Sequence, residues 1–343
     1  MRASTPWITG SVATPGGDVP RVTTALSFGD RWGTWKARWG IGRMKYAIPP
    51  GLYAVGHPDA RSPVLVTANY KMSFDRLRRE LGGLDAWILV LNTHGVNVWC
   101  SAGKGTFGTE EVVRRVEKAE LDKVVDHRTL ILPQLSAPGV AAHEVKKRSG
   151  FRVIYGPVRA REIPAFLESG FQATPRMRTV TFGLRDRIVL APVEIMGALK
   201  PALILLAAVL LLHAAGVAVF SAALLTVLLG TILAGTVVVP ALLPWIPGRS
   251  FALKGWLIGL LWTLAVNVRY GLMFSGTPSW KSSLVNFLIL PPIVSFIALN
   301  FTGSSTYTSL SGVIREMKVA IPLILVSVGF GIAFWVAKIF IAF

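Results

Sequence analysis

Forty-eight consecutive residues, Pro201 to Gly248, carry no formally charged side chain. At a rise of about 1.5 Å per residue the tract makes about 72 Å of helix, enough to cross a roughly 30 Å hydrocarbon core twice. The rest of the second half is almost as poor in charge. Of the 343 residues, those up to Lys200 include 29 basic and 17 acidic ones, whereas seven basic residues and the single acid Glu316 follow. Soluble domains carry about a quarter charged residues, so the second half is expected to lie in lipid.

Five transmembrane helices are predicted, at about 198–216, 222–243, 251–270, 284–301 and 319–343. A turn near Gly216–Ser221 separates the first two, and the breakers Pro240, Pro244 and Pro247 end the second. Lys254 and Arg269 are placed to snorkel at the ends of the third, and Pro291-Pro292 kinks the fourth. The first twenty residues lack the apolar run of a signal peptide, so the head is expected on the cytoplasmic side of the inner cell membrane. Inner loops then carry Lys200, Arg249, Lys254, Arg315 and Lys318, against Arg269 and Lys281 outside. Transport needs ionisable residues within spans. Only His213 and Lys338 qualify, both near ends, which favours an anchor over a pore. The inner loop Asn300–Gly312 is dense in hydroxyls, suited either to a connector or to a docking surface.

The first half divides differently. Residues 1–60 are rich in Gly, Pro and Trp with weak periodicity and read as an irregular lead-in. Residues 61–195 read as an α/β domain, and 196–343 as the membrane domain. Apolar runs at Val64–Asn69, Ala86–Leu91, Thr129–Leu132 and Phe151–Tyr155 are strand-like. Amphipathic stretches at Ser73–Leu81, Thr109–Asp122 and Val140–Arg148 alternate with them as helices. The alternation predicts a small doubly wound, Rossmann-like sheet of parallel strands, with a ligand crevice beyond their carboxyl ends.

The net charge of +18 places +12 in the head. No helix-turn-helix, zinc-finger or RNA-binding signature accompanies it, so nucleic acid is not expected, and an anionic lipid surface or an acidic partner is. Cys100 is the chain's one cysteine, which leaves no internal disulfide and no self-contained iron–sulfur cluster.

Cys100 lies in the segment Asn97-Val-Trp-Cys-Ser-Ala-Gly-Lys-Gly-Thr-Phe-Gly-Thr109. A Walker A loop fails there, because Val98 and Gly105 stand where Gly and Ser/Thr are required. The spacing of Gly103, Gly105 and Gly108 fits the dinucleotide fingerprint, but a dozen residues too far from the strand and with no acid after the next strand. Asn97 is a good N-cap, so Val98 to about Ala102 is predicted as a short helix with Cys100 in its first turn. The helix's positive end and Lys104 favour a thiolate, and the three glycines let a bulky planar ligand approach the backbone. An inert buried cysteine is the alternative.

Asn97 to Lys104 resembles the cap-helix signature of the mercury-methylating corrinoid protein family, with Ser101 where Ala is commoner. The head is also similar to the corrinoid-binding domain of the corrinoid iron–sulfur protein of acetyl-CoA synthesis, from about Pro50 to Gly170. The loop Asn300-Phe-Thr-Gly-Ser-Ser-Thr-Tyr-Thr-Ser309 extends the first likeness into the membrane half. The resemblance implies a corrinoid (cobalamin-type) cofactor with Cys100 as the axial ligand of its cobalt. It implies a cap made of Asn97, Val98, Trp99, Ala102, Gly103, Lys104 and Thr106 beside the corrin ring, although Trp99 serves equally well as core packing. By strand-end position alone, Thr67, Asn69, Thr93, Ser136 and Gly156 are contacts for the nucleotide tail. His94 and His143 have no second ligand at helical spacing and read as structural or surface histidines. The implied activity is a methyltransferase passing a methyl group, as a carbanion equivalent, from methyl-Co(III) corrinoid to Hg(II). A methyl-folate-type donor system and a ferredoxin-like 4Fe–4S protein supplying electrons are the implied partners. The alternatives are a corrinoid methyl carrier of one-carbon metabolism and a membrane transporter or scaffold with a non-catalytic head.

Overall fold

In the computed structural model the described residues are 6–216, 220–273, 280–305, 307–308 and 310–340. The chain forms two compact units, Met1–Val180 and Thr181–Phe343.

The first unit is built on one seven-stranded mixed sheet in the order β1-β2-β3-β5-β4-β6-β7. Four strands, β4 (Val64–Ala68), β5 (Ala86–Leu91), β6 (Thr129–Leu132) and the edge strand β7 (Arg152–Tyr155), lie side by side in the order β5-β4-β6-β7 and run parallel to one another. Alternate residues feed two cores. Val64, Val66, Leu89, Leu91, Leu130 and Leu132 face one layer, whereas Leu65, Ile88, Val90 and Ile131 face the other. Both faces are therefore covered, as a doubly wound sheet requires. Helix α1 (Phe28–Arg38) precedes this part of the sheet, and α2 (Lys71–Glu80) follows β4. The short helix α3 (Val98–Gly103) and α4 (Thr109–Lys118) follow β5, α5 (Ala142–Ser149) follows β6, and α6 (Ile163–Glu168) follows β7.

Residues 1–60 are not an irregular lead-in. They supply β1 (Ile8–Thr14), β2 (Gly17–Val22) and β3 (Gly51–Val55), and β3 joins β5 antiparallel with Leu52 opposite Leu89. The sheet is thus mixed rather than wholly parallel. Weak periodicity here has a physical cause. β1 is an edge strand exposed along most of its length, and β2 carries Gly17 and Pro20, so neither presents clean apolar alternation.

Among the described residues of the second unit, five helices are long and apolar enough to cross a membrane. They are α7 (Ala191–Ala214), α8 (Ala222–Leu233, prolonged by a π turn at Ala234–Val238), α9 (Phe251–Arg269), α10 (Trp280–Asn300) and α11 (Leu310–Phe340). Each predicted span overlaps one of them; the middle of the expected Gly216–Ser221 turn and the side chain of Lys338 lie outside the described residues. Pro291 and Pro292 are both accommodated inside α10. Of the Asn300–Gly312 loop, Thr306 and Ser309 lie outside the described residues, while Phe301, Thr302 and Ser305 are buried. Phe182 packs on Phe301 and Tyr307 at ring separations of 6.2 and 5.8 Å.

A close crossing joins α9 to α10. A Cβ on Gly255 would lie 2.6 Å from the Ala298 Cβ, and one on Gly259 would lie 2.6 Å from the Pro291 Cα. This small-xxx-small spacing lets the two backbones approach, as lipid-embedded helices require when no hydrophobic effect drives them together. Farther along, Asn267 donates to the Ser283 hydroxyl (2.9 Å) and accepts from the Asn286 amide (2.8 Å). Gly259→Leu is expected to force the pair apart, at a cost of about 1–3 kcal/mol. Thermal denaturation in detergent checks this against Gly329→Leu, where a Cβ would meet nothing within 4 Å. Equal melting of the two variants would show that the crossing does not matter to stability.

Candidate functional site

The four parallel strands end together at Ala68, Leu91, Leu132 and Tyr155, and the connections beyond them form one rim. Asn69 organises it. Its side-chain oxygen accepts from the Thr93 and Gly95 backbone amides, both at 3.0 Å, and its backbone N–H donates to the Leu91 carbonyl. This pins the tight turn after β5, where His94 and Gly95 both adopt the left-handed conformation (φ 55° and 72°). The Thr93 hydroxyl closes the turn by donating to the Val96 carbonyl at 2.6 Å.

The chain then enters α3. Asn97 caps it, its side chain accepting from the Cys100 amide at 2.9 Å. The inward face of the helix is fixed from below. Ser101 is fully buried and donates to the Asn97 carbonyl at 2.6 Å, and Ala102 is buried as well. Gly139, in the connection after β6, lies so close that a Cβ there would come within 2.9 Å of Ala102 O and 2.4 Å of Phe107 O. Phe107 plugs the core behind the helix.

Held in this way, α3 presents Trp99, Cys100, Gly103 and Lys104 outward. Cys100 is a free, exposed thiol. Neither Gly103 nor Gly105 has an atom within 4 Å of where a Cβ would stand, so the surface at these two positions is open. Gly105 also needs its glycine for backbone reasons, at φ 78°. Trp99 is 38% exposed, which decides between its two roles: it belongs to the surface of the cap, not to the core. Val98 and Thr106 are half-buried at its margin.

The expected tail contacts lie at the rim. Thr67, Asn69, Thr93 and Ser136 all sit at strand ends, but all four are buried. Asn69 and Thr93 hold the turn before the cap, and the Ser136 hydroxyl donates to the Pro133 carbonyl. Asn69, Thr93 and Ser136 thus shape the rim from inside. Gly156 stands at the end of β7, where a Cβ would press on Ile131 at 3.2 Å, so its smallness serves packing. His94 and His143 are exposed, and among the described residues no group of three potential metal-ligating side chains is assembled.

Glu111 is the residue that sequence reasoning missed. From the first turn of α4 its carboxylate accepts from the Asn92 amide (2.7 Å) and from Arg115 (2.8 Å), and Arg114 pairs with its other oxygen. Burial opposes its ionisation, but the Asn92 amide and the two arginines outweigh burial and lower its pKa. It ties the exit of β5 to α4, across a cleft of about 320 Å³ bordered by Gly105 and Thr106. Only an acid in a helix's first turn, a common pattern, marked it. Glu111→Ala is expected to cost about 1–3 kcal/mol, because it strands a half-buried amide and a nearly buried arginine. Faster proteolysis near Thr93–Asn97 checks it, and a wild-type cleavage rate would remove the role. Glu111's contribution is present above the usual carboxylate range and fades as pH falls through its lowered value.

With this geometry in view, the comparisons are specific about the head. It matches the family model described as CO dehydrogenase/acetyl-CoA synthase delta subunit over residues 43–167. Curated relatives agree. The chain is 35% identical over 128 residues to the acetyl-CoA decarbonylase/synthase complex subunit gamma of Methanopyrus kandleri. The match covers 37% of this chain and 27% of that protein. The corresponding subunit of Archaeoglobus fulgidus is 31% identical over 131 residues, 38% of this chain and 27% of its own length. Subunit gamma 2 of Methanosarcina thermophila is 31% identical over 133 residues, 38% and 28% of the two chains. The chain thus spans little more than a quarter of the relatives it matches. The likeness falls on the unit that carries the cap. It agrees with the resemblance to acetyl-CoA synthesis, and the mercury-specific part of the expectation goes beyond it.

Proposed function

We propose that the chain is a membrane-anchored corrinoid methyl carrier, with Cys100 as the protein's ligand to the corrinoid cobalt. One observation carries this reading: the only cysteine stands exposed on a rigid helix at the carboxyl ends of the parallel strands, beside open glycines. The residues fit the group. A corrin ring fills four cobalt positions itself, so the protein need offer one donor and a flat approach. Cys100 is that donor, and Gly103 and Gly105 leave the approach clear.

When bound, a corrinoid supplies the cobalt chemistry by which a methyl group is taken up and passed on. The chain's residues do the rest. Asn97 fixes the first turn of the cap, Ser101 and Ala102 lock its underside, and Trp99 and Lys104 add an exposed aromatic ring and a positive charge to the segment that carries Cys100. Five apolar helices hold this head at a bilayer, read here as the inner cell membrane with the head cytoplasmic.

The relatives' role as subunits of an acetyl-CoA decarbonylase/synthase complex supports a carrier in one-carbon metabolism better than a dedicated mercury enzyme. Its donor would be a methyl-folate type of compound. Electrons would come from a separate ferredoxin-like 4Fe–4S protein, since one cysteine cannot build such a cluster and a head of net +12 attracts an acidic carrier. The exposed thiol gives mercury methylation standing as a second reading. A sulfur donor pushes electron density toward its metal, which favours electrophilic acceptors, Hg(II) among them.

The absorption spectrum and cobalt content of the full chain, isolated without oxygen, test the common part. Stoichiometric cobalt with corrinoid absorption is expected. Their absence returns the head to a scaffold or transporter role. A deletion strain separates the acceptors: normal mercury methylation removes the second reading, and a growth defect without mercury supports the first.

A further inference from the structure

Helix α1 is amphipathic in the reverse sense. Its buried positions are Asp30, Gly33 and Ala37, along one face, while Phe28, Trp32 and Trp35 stand outward at 81, 47 and 46% exposure. The Trp32 and Trp35 rings stack 4.8 Å apart and nearly parallel. At about 100° per residue, Arg31 and Arg38 border this aromatic stripe on one side and Lys36 on the other. The turn that follows adds Ile41 and Met44, 51 and 69% exposed, with Arg43 and Lys45 beside them. Asp30 is the only acid between Phe28 and Lys45, and it is turned inside against Lys71 and Arg78.

A soluble domain has no reason to keep its helix's aromatics in water and its carboxylate in the core. A surface of Trp and Phe rimmed by Lys and Arg has the composition of a helix that lies in the headgroup layer. We propose that α1 and the turn after it form an interfacial element whose occupant is the anionic phospholipid surface of the bilayer that holds α7–α11. Charge complementarity names the occupant: five basic residues and no outward acid suit phosphate headgroups, each worth about a factor of five in binding near such a surface. The position of the helix agrees. It lies before residue 43, where the likeness to the acetyl-CoA synthase subunit begins, as the apolar helices lie after residue 167. The segment also leads to the cap, since a Cβ on Gly95 would lie 3.1 Å from Met44 O. The inference rests on the reading that the five helices cross a bilayer.

The test uses the full chain with Cys100→Ala and Phe28→Cys, carrying an environment-sensitive fluorophore at position 28. It is reconstituted into phosphatidylcholine vesicles with or without about three parts in ten phosphatidylglycerol. Headgroup-level spin-labelled lipid is expected to quench the probe about threefold more strongly in the anionic vesicles at low salt. The excess is expected to vanish with Arg31→Gln/Lys36→Gln/Arg38→Gln. A second probe at Ile41→Cys repeats the reading if the first substitution disturbs the helix. An unquenched probe overturns the proposal. So does a shielded probe indifferent to lipid charge, which would place the chain's own helices or a second copy over α1. Flotation after alkaline washing separates the premise: a chain that floats with an unquenched probe keeps its anchor and loses this interface, and one that fails to float loses both.

Discussion

Cys100→Ala is expected to abolish methyl transfer and to leave the fold intact. The side chain is exposed, so alanine opens no cavity and removes no packing. What disappears is the one donor on the outer face of α3. The Asn97 cap survives, because it is made to the Cys100 backbone amide and not to the sulfur. Melting and circular dichroism should therefore match the wild type while activity falls below detection. Cys100→Thr should behave alike, since a neutral hydroxyl is a poor donor. Both variants are best read alongside the spectrum of the loaded protein, because loss of the sulfur ligand must change the cobalt absorption if the ligation is real. Full activity in either variant would remove Cys100 from the mechanism. A wild-type spectrum in an inactive variant would move it from ligation to some other step.

Why this residue was legible in sequence, and its neighbours less so, is a matter of local against tertiary signal. Asn97 before a short helix is a local pattern, and the cap forms as expected, with Cys100 in the first turn. The strands β4, β5 and β6 were legible because burial on both faces leaves continuous apolar runs. Position at a strand end, by contrast, says that a residue is near the rim but not which way it faces. Asn69, Thr93 and Ser136 turn inward because the rim's own backbone needs donors and acceptors. β1 and β2 lack a legible alternation because β1 is exposed along most of its length and β2 carries Gly17 and Pro20, whereas β3 is a buried run of only five residues. The spacing of Gly255 and Gly259 was present in the sequence as a motif, but only the distance to Pro291 and Ala298 gives it meaning.

The largest loss of stability is expected from Arg78→Met. Arg78 has no exposed surface, and its guanidinium reaches three parts of the head at once. Nε donates to Asp75 (2.8 Å), Nη2 to Asp30 (2.8 Å), and Nη1 to the carbonyls of Thr23 and Ala25 (2.5 and 3.0 Å). Lys71 shares both carboxylates, at 2.5 and 2.7 Å. Removing the arginine leaves two buried acids with one cation between them and two carbonyls without donors. Breaking a buried pair from one side costs about 3–5 kcal/mol. The damage should begin at α1, whose capping box depends on Asp30, and proteolysis between residues 23 and 45 should accelerate before the sheet melts. The same network has a pH signature. Burial opposes ionisation of Asp30, but Lys71 and the Ser27 donors outweigh it and hold the pKa at about 2, below the ordinary value of 3.8. A lowered carboxylate contributes its stability above the unfolded value and loses it as pH falls, here between about pH 4 and pH 2. Its share is on the order of 1–2 kcal/mol. An Arg78→Met chain that melts with the wild type and resists cleavage at α1 would show that the aromatic face is held outward by something other than this inward ionic anchor.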